Sequence, residues 1–172
     1  NTFANNYENG GVSDFGEVFI DFKHQNVTDY ERGLKLDTGV VYAKYNTNGI
    51  SVVREAFTSY PDKVFAYKIK SLEIPFLNER PVEQGGRTGN VTVENGVLVM
   101  RGTLPSRELI FEARLAAITD GEVISNADSI TVKNATETVL LYTLDTSYKL
   151  CPEVFLDGFH KALGADPHDT VT

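Results

Sequence analysis

Leu109-Ile110-Phe111-Glu112-Ala113-Arg114-Leu115-Ala116-Ala117 carries the longest alternation in the chain. Leu109, Phe111, Ala113, Leu115 and Ala117 fall at every second position, and Glu108, Glu112 and Arg114 fall between them. Successive side chains on a strand point to opposite faces, so this pattern predicts one half-buried β-strand. The same period of two appears at Val18, Ile20 and Phe22, set against Glu17, Phe19 and Asp21. It appears again at Phe65, Tyr67 and Ile69, set against Ala66, Lys68 and Lys70.

Turn signals separate the stripes. Asn46-Thr47-Asn48-Gly49 divides Val40–Tyr45 from Ile50–Phe57, and Asn95-Gly96 divides Val91–Val93 from Val97–Met100. Asp120-Gly121 follows the long stripe. Asn-Gly and Asp-Gly supply the positive φ angles of tight hairpins. About ten strands at short spacing predict an all-β fold, an antiparallel sandwich or barrel. Two segments break the pattern. Glu73–Gly89, with Pro75, Pro81, Gly85, Gly86 and Gly89, is expected to be a surface loop. From Cys151 onward the alternation stops. Phe155, Phe159 and Leu163 then predict a short helix that ends at Gly164, and Asp166-Pro167 redirects the chain.

Composition narrows the function classes. The chain has 172 residues, 41% hydrophobic and 23% charged, close to a globular average. No apolar run approaches the roughly 18 residues of a membrane helix. With 16 basic and 24 acidic residues the formal net charge is −8. That lacks the basic footprint of nucleic-acid binding and disfavours an anionic membrane surface. The single cysteine, Cys151, permits no internal disulfide, and no His-Asn or His-Asp arrangement points to a catalytic thiolate. The first residue is Asn1 rather than Met, which is expected of a processed or excised chain.

The residues do not spell out a catalytic motif. His24, His160 and His168 lack the i+3 or i+4 pairing of a metal site. Gly85-Gly86-Arg87-Thr88-Gly89 lacks the following Lys of a phosphate loop. A glycosidase needs two carboxyl groups across a sugar. Asp21, Glu55 and Glu112 stand opposite apolar stripes and are expected to lie on a solvated outer face. Asn26-Val27-Thr28, Asn90-Val91-Thr92 and Asn134-Ala135-Thr136 are acceptor sequons for N-glycosylation.

Four motifs in order carry a resemblance. Phe15-Gly16-Glu17-Val18-Phe19-Ile20-Asp21-Phe22 opens the series, and Asp29-Tyr30-Glu31-Arg32-Gly33-Leu34-Lys35-Leu36-Asp37-Thr38-Gly39 follows. Val53-Arg54-Glu55-Ala56-Phe57-Thr58-Ser59-Tyr60-Pro61-Asp62-Lys63-Val64 is the third. Val99-Met100-Arg101-Gly102-Thr103-Leu104 with Phe111-Glu112-Ala113-Arg114-Leu115 is the fourth. Together they resemble the N-terminal β-domain of glycoside hydrolase family 95, the α-L-fucosidases, over about Tyr7 to Tyr148. Glu17, Lys35 and Gly39 depart from the family pattern, and the chain has no Trp. Within the motifs Gly16 is expected at a strand entry, Arg32 to clamp Asp37 or Glu55, and Tyr60-Pro61-Asp62 to end a strand.

The resemblance implies a large antiparallel β super-sandwich over residues 1–150. Residues 151–172 would begin a linker toward a catalytic (α/α)6 barrel in the same parent chain. Catalysis in the family belongs to that barrel, through a general-acid Glu and an Asp with Asn partners. No residue here matches them, so no catalytic, cofactor-binding or metal residue is assigned. The implied parent is an inverting hydrolase that removes terminal α-L-fucose or α-L-galactose from glycans. This chain would be its non-catalytic scaffold, extracellular or periplasmic, with the barrel and the glycan as partners and neither nucleic acid nor membrane. The alternatives are a free-standing carbohydrate-binding module and an interaction domain with no sugar role. The first would expose aromatics such as Tyr30, Tyr42, Tyr45, Tyr60 and Tyr148.

Overall fold

The computed structural model describes residues 16–22, 24–70, 76–81, 88–104, 109–148 and 166–171. These form twelve strands and one short helix. The strands are β1 (Gly16–Asp21), β2 (Thr28–Lys35), β3 (Val40–Thr47), β4 (Ile50–Ser59), β5 (Val64–Lys70) and β6 (Phe76–Pro81). They continue with β7 (Thr88–Glu94), β8 (Val97–Leu104), β9 (Leu109–Thr119), β10 (Glu122–Ser125), β11 (Ser129–Lys133) and β12 (Glu137–Thr146). Helix α1 is His168–Val171.

The strands make two antiparallel sheets. The large one runs β2-β3-β4-β5-β12-β9-β8-β7, and the small one runs β1-β6-β11-β10. The long stripe is β9, paired to β12 on one side and to β8 on the other. Its register sets Leu115 beside Leu98 and Tyr142, and Ala117 beside Leu140. Phe111, Ala113 and Leu115 are buried, as the alternation predicts. Leu98, Leu115, Leu140 and Ile69 meet Ile130 and Val132 of β11 across the sandwich. Val18, Ile20 and Phe22 pack against the same cluster. Two antiparallel sheets sharing one core form a β-sandwich, which resolves the sandwich-or-barrel alternative.

The small sheet lies against β7, β8 and β9. The apolar face of the large sheet continues beyond it across β2–β5. At one end of these strands Tyr45, Val52 and Ile69 are buried, while at the other Leu34 and Val41 remain 53% exposed, Phe65 40%, and Leu144 on β12 42%.

Local chemistry explains the corners. Asn48-Gly49 and Asn95-Gly96 both adopt positive φ, at 48° and 81° and at 53° and 81°, and close the expected two-residue hairpins. Tyr60-Pro61-Asp62 ends β4 as expected, with the Ser59 hydroxyl donating to Asp62. Gly39, the residue that departs from the family pattern, has φ 69° and donates its N–H to Lys35 O at 2.8 Å. Left-handed backbone at that turn favours glycine over alanine.

Two expectations are corrected. Glu73–Gly89 is not wholly a loop, because β6 forms inside it and joins β1 to β11. Its short run between prolines shows little local preference, and pairing on both edges supplies the order. Pro81 sits at its end, where a missing N–H interrupts no inner ladder. Asp120-Gly121 is not a hairpin within one sheet. It carries the chain from β9 in the large sheet to β10 in the small one, and neither residue has positive φ. Gly121 serves close approach instead, since a Cβ there would stand 2.4 Å from Lys133 O. The helix expected on Phe155, Phe159 and Leu163 lies outside the described residues, as do Cys151 and His160.

Candidate functional site

The outward face of the large sheet carries the most strongly tied polar cluster. Glu112 on β9 and Arg101 on β8 are register partners, and Arg114 follows two residues along on the same face. Alternation therefore places all three side chains opposite the apolar stripe. Arg101 Nη1 donates to Glu112 Oε2 at 2.5 Å, and Arg114 Nε donates to Oε1 at 2.8 Å. The loop before α1 closes over them. His168 Nδ1 lies 3.2 Å from both Glu112 oxygens, and Arg101 Nη2 donates to Asp166. Helix α1 packs against β9 and β12, with Thr170 Oγ1 donating to Asp145 at 2.7 Å.

Glu112 is therefore buried rather than solvated, contrary to the expectation for it. Burial alone would raise its pKa. Hydrogen bonds from Arg114, Arg101 and His168 outweigh that and hold the carboxyl below its ordinary range. The Arg101 hydrogen bond, helped by the His168 backbone N–H, draws Asp166 down to about 2. Both groups are thus carboxylates at neutral pH, suited to pairing and unsuited to donating a proton. A cleft of about 750 Å³ opens beside them, lined also by Asn90, Thr92 and Glu94.

The three carboxylates singled out by sequence are not brought together. Glu55 lies on the outward face of β4, three strand spacings from Glu112 on β9. That is roughly 14 Å across the strands at ordinary spacing, and Glu112 lies a further six residues along β9 from Ile118, the position in register with Glu55, so the two are beyond the reach of a glycosidase pair. Asp21 belongs to β1, in the other sheet. Lys35 Nζ donates to Glu55 at 2.9 Å, and this bond holds the Glu55 carboxyl below its ordinary value. The expected Arg32 clamp on Glu55 does not form. Arg32 pairs with Ala43 and Lys35 with Val40, so the two cations point to opposite faces and only Lys35 shares the face of Glu55. Among the described residues no group of three or more His, Cys, Asp and Glu is placed to hold a metal ion.

A second cluster stands on the opposite face. Tyr45 is only 5% exposed, contrary to its expected place among surface aromatics. His24 Nδ1 and the Tyr45 hydroxyl are 2.8 Å apart, and Tyr30 stacks on Tyr45 with ring centroids 6.1 Å apart. The Arg54 guanidinium lies 5.0 Å from the Tyr45 ring centroid and 5.2 Å from that of Phe22. Tyr30, Tyr60 and Tyr148 are exposed as expected, while Tyr42 donates to Glu31 at 2.8 Å and covers Gly33. The sequon residues Asn26, Asn90 and Asn134 are all exposed, Asn26 and Asn134 at positive φ. Sequence reasoning missed Arg101, Arg114, Asp166 and His168 as one cluster. Alternation and adjacent strands were signals for Arg101 and Glu112, whereas nothing local connects either to His168.

Comparison with known proteins adds an independent line. A family model described as "Glycosyl hydrolase family 65, N-terminal domain" matches residues 2–150. "Probable alpha-fucosidase A" of Aspergillus niger is 30% identical over 146 residues, which cover 79% of this chain and 17% of that protein. The chain therefore spans 17% of the length of that relative. A solved structure titled "Putative kojibiose phosphorylase from human microbiome" superposes with TM-score 0.50 at 11% identity. That match covers 77% of this chain and 22% of the other. The last likeness is one of fold.

Proposed function

The chain belongs to the glycosyl hydrolase family 65 N-terminal domain family, and on that premise we propose that it is the non-catalytic scaffold of a larger glycan-cleaving enzyme. The parent in this reading removes terminal α-L-fucose, or α-L-galactose, as the family 95 motifs and the relative named a probable alpha-fucosidase suggest. It acts outside the cytoplasm, in keeping with three exposed sequons. Its catalytic groups lie in a helical barrel beyond this domain, and residues 151–172 begin the linker to it.

The uncovered half of the large sheet carries the proposal. Leu34, Val41, Phe65 and Leu144 stand exposed on the apolar face of the large sheet, whose other part is core. An apolar face of that kind marks a docking surface. The occupant we assign is the catalytic region of the same polypeptide, since this chain accounts for 17% of its fucosidase relative. The acidic residues support the non-catalytic assignment. Glu112 is locked between arginines, and Glu55 is paired to Lys35 on a distant strand.

The test is an assay of the purified 172-residue chain with 4-nitrophenyl α-L-fucoside. No release of nitrophenol above buffer is expected. Turnover that persists through purification, and through Glu112→Gln and Glu55→Gln, overturns the scaffold reading.

A further inference from the structure

The aromatic cluster around Tyr45 borders a cleft that the scaffold role does not use. The cleft lies where the end of β1 meets β2, β3 and β4, at the margin of the uncovered half of the sheet, and has a volume of about 340 Å³. That is near the lower end of the range for small-molecule sites. We propose that this cleft binds a terminal sugar residue of a neutral saccharide. The proposal rests on the glycoside-hydrolase reading for its choice of sugars among neutral polar ligands.

Three features of the walls fit that ligand. The first is an aromatic face. Tyr30 is 54% exposed, and its ring is backed by Tyr45 at an interplanar angle of 28°. Tyr45 is itself fixed by burial and by its hydrogen bond with His24. A stiff, partly wetted tyrosine suits the C–H face of a pyranose and loses little rotamer freedom on binding. The second feature is a pair of opposite charges, Asp21 and Arg54. Sugar hydroxyls both donate and accept, so they can use a carboxylate and a guanidinium together. An anionic ligand would meet Asp21 and a cationic one would meet Arg54, which selects for neutrality.

The third feature is preorganisation. The Arg54 guanidinium is held between the Phe22 and Tyr45 rings. Its Nε is buried without a hydrogen-bond partner among the described residues. Burying a donor in that state costs free energy, so the position is one the core alone does not favour. Side chains held in place before the ligand arrives cost less to order on binding.

The test follows backbone amide shifts of the 15N-labelled chain during titration with methyl α-L-fucoside, methyl β-D-galactoside and methyl α-D-glucoside. Nicotinamide, a flat neutral ring without hydroxyl groups, is the control. At least one glycoside is expected to saturate with millimolar affinity and to shift Phe22, Tyr30, Tyr45 and Arg54. Tyr30→Ala should weaken binding about tenfold, while Tyr30→Phe and Tyr60→Ala keep it. Unchanged amide positions elsewhere in Tyr30→Ala confirm that the variant folds. The proposal is overturned if no glycoside saturates, if nicotinamide shifts the same residues equally, or if Tyr30→Ala binds normally. Any of these outcomes leaves the scaffold reading standing, because that reading is judged by fucoside turnover.

Discussion

The two halves of the large sheet have the same backbone architecture and opposite surroundings. At β7, β8 and β9 the apolar face meets the small sheet, and Leu98, Leu115 and Ala113 are 0–2% exposed. At β2 and β3 the same face carries Leu34 and Val41, both 53% exposed. Leu34 and Val41 fall on the same face of the sheet as Leu98 and Leu115. Period alone therefore shows which side of a strand is apolar, and a second layer must be present before that side becomes core. Four strands cannot cover eight, so among the described residues part of that face is left over.

Truncation in the covered half tests the difference most severely. Leu115→Ala removes buried methyl groups at the contact with Leu98 and the small sheet. It is expected to destabilise the chain by about 4 kcal/mol, as a cavity in a core that cannot collapse fully. Urea denaturation of the purified variant measures it. A loss below about 1 kcal/mol would mean that the two sheets are not packed as one core.

Legibility in sequence followed local chemistry rather than cover. The stripe from Leu109 to Ala117 named its own buried residues, and the Asn48-Gly49 and Asn95-Gly96 turns were readable because positive φ demands particular residues. β6 was hidden, because its order comes from two partners distant in sequence rather than from its own run. The role of Asp120-Gly121 was hidden too. A glycine needed for close approach to Lys133 reads the same as one needed for a hairpin. At the site, alternation placed Glu112 on the outer face correctly. It gave no sign that Asp166 and His168 would return to bury it, because that contact spans 56 residues.

The outer face supplies a second contrast, between a carboxylate that is covered and one that is not. Glu112→Ala leaves Arg114, whose side chain is 15% exposed, without its partner. A loss of about 3 kcal/mol is expected, in the range for breaking one side of a buried pair. Glu55→Ala breaks only a surface bond to Lys35 and should cost well under about 1 kcal/mol. Acid sensitivity should divide the same way. Asp166 and Glu112 have folded pKa values below their ordinary ones. The stability they contribute is thus complete above about pH 5, where the unfolded carboxyls are ionised, and is lost as pH falls, toward about 2 for Asp166. Removing Glu112 should flatten that acid limb in thermal melts from pH 5 to pH 2. A slope identical to the unmodified chain would mean that the cluster does not hold the loop before α1 in solution.

The smallest effect is expected where the uncovered half is altered, and there the comparison is sharpest. Leu34→Ser and Val41→Ser remove apolar atoms that already face water, so each should change the stability of this chain by no more than about 0.5 kcal/mol. In the parent enzyme the same positions lie under the catalytic region if the docking proposal holds. Burying a leucine or valine side chain contributes about 1.5–3 kcal/mol, and half of each is already buried here. Each substitution should then cost the parent roughly 1 kcal/mol. Paired melts of chain and parent measure the difference directly. Equal, negligible effects in both would mean that this face stays wet and that the catalytic region packs elsewhere. A loss in the isolated chain as large as that of Leu115→Ala would mean that the half is already covered from within, and the contrast between the two halves would collapse.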